Sequence, residues 1–358
     1  MSPRSPPFAP IQHPDTVRTM RYTIGIAGVS GYGGGELLRL LARHPQFDLV
    51  YVAGEGSAGS KLIDRFPGLS QKTGDLVIEK FDADNMPEID VLFASLPTGK
   101  SAEPLAKVRK ETRIVDIGGD HRYVPGWVYG LADIWPEKIR GATRVANPGC
   151  YPAASITALA PLLYAKLISP ESIIIDAKSG VSGAGRGSGD NKFGYAETNE
   201  DLMAYGLLKH THMPEIEETI RQMSEVKNES STGLVFTPHL IPMTRGILAT
   251  IYARGRAGGQ ARGSSAGVTS EDCQSAARKF YQNSPFVRVL DSPPHTKFAA
   301  ASNLAFLHYA ADPARNLVMA ISVIDNLGKG AAGQAIQNAN LMLGLAPELG
   351  LDSPPVWP

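Results

Sequence analysis

Short apolar runs recur at intervals through the first third of the chain: Tyr22 to Ala27, FDLVYVAG at 47–54, DVLFASLP at 90–97 and RIVDIGG at 113–119. Loops and helical stretches separate them, the first helix carrying Leu37, Leu38 and Leu41 on one face. Strand and helix in alternation predict a parallel sheet with crossover helices. After Cys150 the rhythm changes. SIIIDAKSGVSGAGR at 172–186, GLVFTPHLIPM at 233–243, RGILATIYARG at 245–255 and NLVMAISVIDNL at 316–327 are longer β-rich runs, which predict a second domain on a mixed or antiparallel sheet. The run GKGAAGQAIQNANLMLG at 328–344 reads as a small-residue helix that returns to the first domain. The fold class expected is therefore α/β: a Rossmann-type parallel-sheet domain over 20–149 and 328–358, and an α+β domain over 150–327. Residues 1–19 are proline-rich and polar, and read as a disordered tail with Met20 as the true start.

Composition narrows the partners. Thirty-five basic and thirty-five acidic residues cancel, so no global field draws the chain to nucleic acid or an anionic membrane. Two cysteines without a CxxC pair argue against a disulfide scaffold and a cysteine zinc site, and fit a reducing compartment. No apolar run is long enough to span a membrane and no leader pattern precedes the first strand. Segment 254–270, with Arg254, Arg256 and Arg262 among glycine, alanine and serine, reads as a flexible loop tip; without interleaved aromatics it is a weak RNA-contact candidate.

Four features carry candidate chemistry. Gly28, Ser30, Gly31, Tyr32, Gly33 and Gly34 follow a strand and open a helix, the context of a dinucleotide-binding turn. There the backbone approaches a pyrophosphate and the helix start supplies N–H donors. At the end of the second strand Glu55 suits the ribose hydroxyls of NAD, whereas Ser57, Ser60 and Lys61 suit a 2′-phosphate, which leaves the cofactor open. Cys150 follows Pro148-Gly149 and precedes Pro152, which places it at a helix N-terminus where N–H groups and the helix dipole favour a thiolate. Its plainer reading is a small buried hydrophobe. His210 and His212 lie two apart before Pro214; without further ligands nearby they suit proton transfer with Cys150 better than a metal. Glu215, Glu217 and Glu218 in the following first turn are accounted for by the helix dipole. Arg122, Arg186 and Arg245 stand beside glycines or strand ends and suit capture of an anionic small molecule. His239 is read as structural.

In order along the chain, GVSGYGGGELLRLL, NPGCYPAA, SGVSGAGR, the AYG and HTHMPEIE block, FTPHLIPMTRGIL and IDNLGKGAAGQAIQNAN resemble the N-acetyl-γ-glutamyl-phosphate reductases, the arginine-pathway branch of the aspartate-semialdehyde dehydrogenase-like reductases. The likeness covers about residues 22 to 345. It implies that Cys150 is the nucleophile, that His210, first of the pair, is the acid/base, and that Arg122 binds phosphate. With the residues read above, the candidate substrate set is Arg122, Arg186, Arg245 and Asn147, and the cofactor set adds Ser57, Gly183 and Asn326 to the turn. The likeness also implies NADP as cofactor, with NAD kept open by Glu55, a small acyl-phosphate substrate, a homodimer or homotetramer, and a cytoplasmic setting. Thr211 and Glu55 depart from the arginines common in the family at those places. A sister branch reducing carrier-bound aminoadipyl phosphate, and a non-catalytic nicotinamide sensor, are the alternative readings.

Overall fold

The computed structural model describes residues 20–186, 193–224, 233–256 and 267–357. The tail over 1–19 and the centre of the 254–270 segment, Arg262 included, lie outside the described residues. Six strands form a wholly parallel sheet: β1 (Tyr22–Ala27), β2 (Phe47–Ala53), β3 (Val91–Ala94), β4 (Arg113–Asp116), β5 (Val128–Tyr129) and β6 (Arg144–Ala146), in the order β2-β1-β3-β4-β6-β5. The order reverses between β1 and β3, and a crevice at the carboxyl ends of such a pair is where ligands settle in open α/β sheets. Two apolar clusters cover its faces. One unites β1, β3 and the helix Tyr32–Leu41 with Ala335, Ile336, Ala339 and Leu341 of the helix Gly333–Met342, so the end of the chain does return to this sheet. The other gathers Tyr51, Leu92, Leu105 and Ile114.

The second sheet holds seven strands: β7 (Ile168–Gly180), β8 (Met203–Ala204), β9 (Val235–Ile241), β10 (Ile247–Gly255), β11 (Val287–Val289), β12 (Ala305–Asp312) and β13 (Leu317–Ile324). Their order is β11-β12-β13-β10-β7-β9-β8, antiparallel except where β7 joins β9 and β11 joins β12. The expected class, a parallel-sheet unit with a mixed-sheet unit, is the class observed.

One helix joins the two. Cys150–Tyr164 is buried on every side from Tyr151 to Leu163, as a helix apolar on all faces but for Ser155 and Thr157 must be inside a core. It lies on the inner face of the mixed sheet beneath the helices His212–Ser224 and Ser270–Phe280. Its first residue emerges at the carboxyl edge of the parallel sheet, directly after β6. Burial of the whole helix thus fixes where its first side chain stands. Among the described residues no helix is long and apolar enough to cross a membrane.

Candidate active site

A cleft of about 1080 Å³ runs along the carboxyl ends of the parallel strands. Gly31, Tyr32 and Gly33 line one end, Ser95–Thr98 and Ile117–Gly119 the middle, and Pro148, Gly149 and Cys150 the inner end. The dinucleotide turn and the candidate nucleophile therefore share one continuous space.

The turn has the geometry its glycines suggest. Gly28 has φ +89° and presses against the Ser95 carbonyl, while Gly34 packs its Cα on the Gly28 carbonyl. A side chain at either position would push the helix off the strand. Ser30 and Ser57 are hydrogen-bonded to each other beside the end of β2. Neither they nor Gly28 and Gly34 line the cleft; Gly28 and Gly34 pack the turn against the backbone behind it. Arg65, which sequence reasoning passed over, donates from Nη2 to the Ser30 carbonyl at 3.3 Å and keeps a buried Nε with no partner. Glu55 points to solvent, 3.9 Å from Lys80.

Around Cys150 the polar groups are bonded to one another. Buried Glu215 accepts from the Gly149 N–H at 2.9 Å, the Tyr129 hydroxyl at 2.6 Å and Arg122 Nη1 at 2.9 Å. Helix dipole alone does not account for Glu215: it holds the residue before the thiol. Its signal was available, since Ile216, Ile220 and Met223 form a buried stripe beside it at helical spacing. Arg122 lines the cleft but is already committed, giving its Nε to the Asn147 carbonyl at 3.0 Å and Nη1 to Glu215. Its charge faces the sulfur from a fixed seat.

Burial dominates the titration. It pushes the Cys150 thiol up to about 11, with Arg122 and the N–H groups of Tyr151 and Cys150 pulling the other way. The thiolate expected from a helix start is therefore not the resting form; in the ligand-free cleft desolvation wins. Burial, the Arg122 charge and neighbouring His210 hold His212 well below its ordinary value. Thiol and neutral imidazole is the resting pair. The second cysteine, Cys273, is fully buried and pushed up to about 12.

The two histidines occupy different places. His212 lines the cleft, its ring packed against the Gly149 Cα so closely that only glycine fits there. Its Nδ1 is buried without a partner. His210 stands behind it, edge-on to Tyr151, Tyr205 and Phe236, with Nδ1 accepting from the His212 backbone N–H at 3.1 Å, and does not line the cleft.

Two expected substrate contacts are corrected. Arg245 is outside the cleft, taken by the carboxylates of Glu36 and of Asp325, the latter at 3.1 Å. Asn147 is fully buried, donating to the Ala331 carbonyl and accepting from Asn338, so it latches the Cys150 turn to the final helix. Arg186 does line the cleft, exposed, at the end of the Ser182–Arg186 segment; among the described residues no ion pair holds it. Arg221, which the sequence reading did not single out, lines the same space and pairs with Glu218. Gly183 and Asn326 also line it, although Asn326 spends its amide on Ser182 Oγ at 2.9 Å and on the Gly246 N–H at 2.7 Å.

Residues 23–142 match the family model described as semialdehyde dehydrogenase, NAD binding domain, and residues 150–326 match semialdehyde dehydrogenase, dimerisation domain. An N-acetyl-gamma-glutamyl-phosphate reductase of Methylobacterium sp. (strain 4-46) is 63% identical over 339 residues, 95% of this chain and 100% of that protein. The chain belongs to the N-acetyl-γ-glutamyl-phosphate reductase family. Members at greater distance share the same span: the reductase of Crocosphaera subtropica is 40% identical over 92% of this chain and 97% of its own. Outside these reductases the fold persists. Aspartate semialdehyde dehydrogenase of Candida albicans with NADP superposes with TM-score 0.70 at 17% identity, covering 90% of this chain and 98% of that one. The Vibrio cholerae aspartate semialdehyde dehydrogenase II gives 0.68 at 16%, over 91% and 99%. The family is that of phosphorylating semialdehyde dehydrogenases, an oxidoreductase class.

Proposed function

We propose that the chain reduces N-acetyl-L-glutamyl 5-phosphate to N-acetyl-L-glutamate 5-semialdehyde and phosphate, with Cys150 as nucleophile. One observation carries the reading: a dinucleotide turn and a helix-start thiol face one cleft that also holds an exposed arginine. His212 takes the Cys150 proton as substrate enters, and the sulfur, set among the N–H groups of Cys150 and Tyr151, attacks the acyl carbon. The C–O bond to phosphate breaks, phosphate leaves and a thioester remains. Gly31, Tyr32 and Gly33 would hold the reduced dinucleotide, which when bound would supply a hydride to the thioester carbon and bring it to the aldehyde level. His212 returns its proton to the hemithioacetal oxygen; the C–S bond then breaks, the sulfur keeps its electron pair, and the hydroxyl proton passes back to His212 and from there to the thiolate as the aldehyde departs, restoring thiol and neutral imidazole. Arg186 holds an anionic group of the substrate, while Arg122, bound to Glu215, lends its charge to the departing phosphate without leaving its seat.

The cradle fits a dinucleotide: Gly31 and Gly33 open the cleft side of the turn, Gly28 and Gly34 let it pack tightly on the strand ends behind, and Arg65 offers an orphaned N–H beside the Ser30–Ser57 pair. That arginine favours NADP, since a guanidinium suits a 2′-phosphate and Glu55 points away from the turn. The outer face of the mixed sheet leaves Ile174 and Val235 exposed at 46% and 41%, with Tyr252, Met319 and Ile321 half-buried, and a second copy of the chain covers it. A free nucleophilic thiol suits a cytoplasmic setting.

The test runs the reaction backward. N-acetylglutamate semialdehyde with NADP⁺ and phosphate should give the reduced-nicotinamide absorbance, only when phosphate is present and less with NAD⁺. Reduction that ignores phosphate would remove the acyl-phosphate reading, and equal rates with NAD⁺ would remove the role given to Arg65.

A further inference from the structure

Arg245, excluded from the cleft, sits where three segments of the site meet. Glu36 belongs to the helix Tyr32–Leu41 whose start forms the dinucleotide turn, and it is 3% exposed. Both its oxygens take the fork of Arg245, and both also take Arg39 at 2.6 and 3.0 Å. Arg245 Nη1 reaches on to fully buried Asp325 at 3.1 Å. Asp325 in turn caps the segment behind the thiol: Oδ1 accepts from the Leu327 and Gly328 N–H groups at 2.8 Å each, and its carbonyl accepts from Gly330 at 2.9 Å. Gly330 packs on Cys150, a Cβ there falling 2.9 Å from that of the cysteine. Two cations and two carboxylates close the cluster without net charge, so a buried geometry is fixed without a stranded ion.

We propose that Arg245 is a positioning residue that sets the dinucleotide turn at hydride-transfer distance from the carbon on Cys150. The proposal rests on the acyl-phosphate reductase reading above. Arg245 lies outside the cleft and binds directly the helix that opens at the dinucleotide turn. It reaches Cys150 only through Asp325 and the Gly330 backbone, so its main effect falls on the turn and not on acylation. It acts on the second half-reaction, in which two partners held by different segments must meet at contact distance, and small misplacements are costly there.

The two halves can be read apart. Rapid quench of enzyme with N-acetylglutamyl phosphate and no nucleotide gives a burst of phosphate that reports acylation alone. Single-turnover decay of reduced-nicotinamide absorbance, with and without deuterium at the transferred position, reports hydride transfer. Arg245→Met should keep the phosphate burst rate within about twofold while slowing hydride transfer by about tenfold or more, with a larger deuterium effect. Glu36→Gln should show the same pattern. Arg245→Lys, which keeps the charge but not the fork, should fall between, and carries the test if the methionine variant does not fold. An equal loss in both halves, or no loss in the second, overturns the proposal. Absence of a phosphate burst in the unaltered enzyme would instead fail the reading on which it rests.

Discussion

The two walls of the cleft differ in how their polar groups are spent. On the wall of Cys150, the Glu215 carboxylate, the Arg122 guanidinium and the Asn147 amide all have protein partners at hydrogen-bond distance. On the facing wall, the glycine-rich segment from Ser182 ends in an exposed Arg186 held by no described ion pair. The polar groups beside the thiol are thus spent within the protein, whereas Arg186 has no ion pair among the described residues and, under the function proposed above, is free to take a substrate anion. The contrast corrects the reading of arginines by neighbourhood: three stand beside glycines or strand ends, and they become a seated charge (Arg122), a structural fork (Arg245) and an exposed cation with no ion pair among the described residues (Arg186).

That contrast can be broken most directly at the thiol. Cys150→Ser should lower kcat by on the order of a thousandfold or more, while dinucleotide affinity by fluorescence titration stays unchanged. Substantial residual turnover would strip the fixed wall of its chemistry. Next in size, Glu215→Gln leaves buried Arg122 without its counter-charge and weakens the bond to the Gly149 N–H. About 3 kcal/mol of stability should go, by urea unfolding, and kcat should fall steeply; a variant as stable as the parent would show that the network is incidental. For the histidines, His212→Asn should cost about a hundredfold in kcat and His210→Asn less. The opposite order would move the proton-transfer role to the histidine behind. On the open wall, Arg186→Ala should raise KM by about tenfold with kcat little changed, because the cation acts in binding; a loss confined to kcat would place it among the fixed groups.

The smallest effects are in pH. Cys150 is raised from 9.0 to about 11, so its contribution to stability is full below pH 9 and is lost as pH rises toward 11. His212 is depressed, so its contribution is full above 6.5 and is lost as pH falls below that. Urea midpoints across pH should therefore show less alkaline loss in Cys150→Ala and less acid loss in His212→Asn. Iodoacetamide should modify Cys150 slowly at pH 7 in the ligand-free enzyme and faster as pH climbs toward 11, with Cys273 slower throughout because it is fully buried.

Much of the fold and part of the site could be read from the chain. β1 lies where the apolar run put it, and Pro152 in the first turn correctly announced a helix beginning at Cys150, because both signals are local. What escaped was long-range. Glu215 meets Arg122 across 93 positions and Arg245 meets Glu36 across 209, and no spacing rule connects such partners. Each residue also had a sufficient local explanation, the dipole for the glutamate and surface anion capture for the arginine. The raised thiol was illegible for a related cause: a helix start argues for ionisation, and only packing around the sulfur reveals the desolvation that opposes it.

The return of Gly333–Met342 to the parallel sheet bears on how the chain is made. A ribosome releases β1 through β6 long before Ile336, Ala339 and Leu341, which close one face of that sheet, have been joined to the chain. Throughout that interval the part of the sheet face beside the helix Tyr32–Leu41 that the final helix will later close displays its apolar surface. A stop codon just after Gly330 would remove that cover together with Ala331 and Asn338, partners of the Asn147 side chain, so the nucleotide half and the latch behind Cys150 would be lost at once.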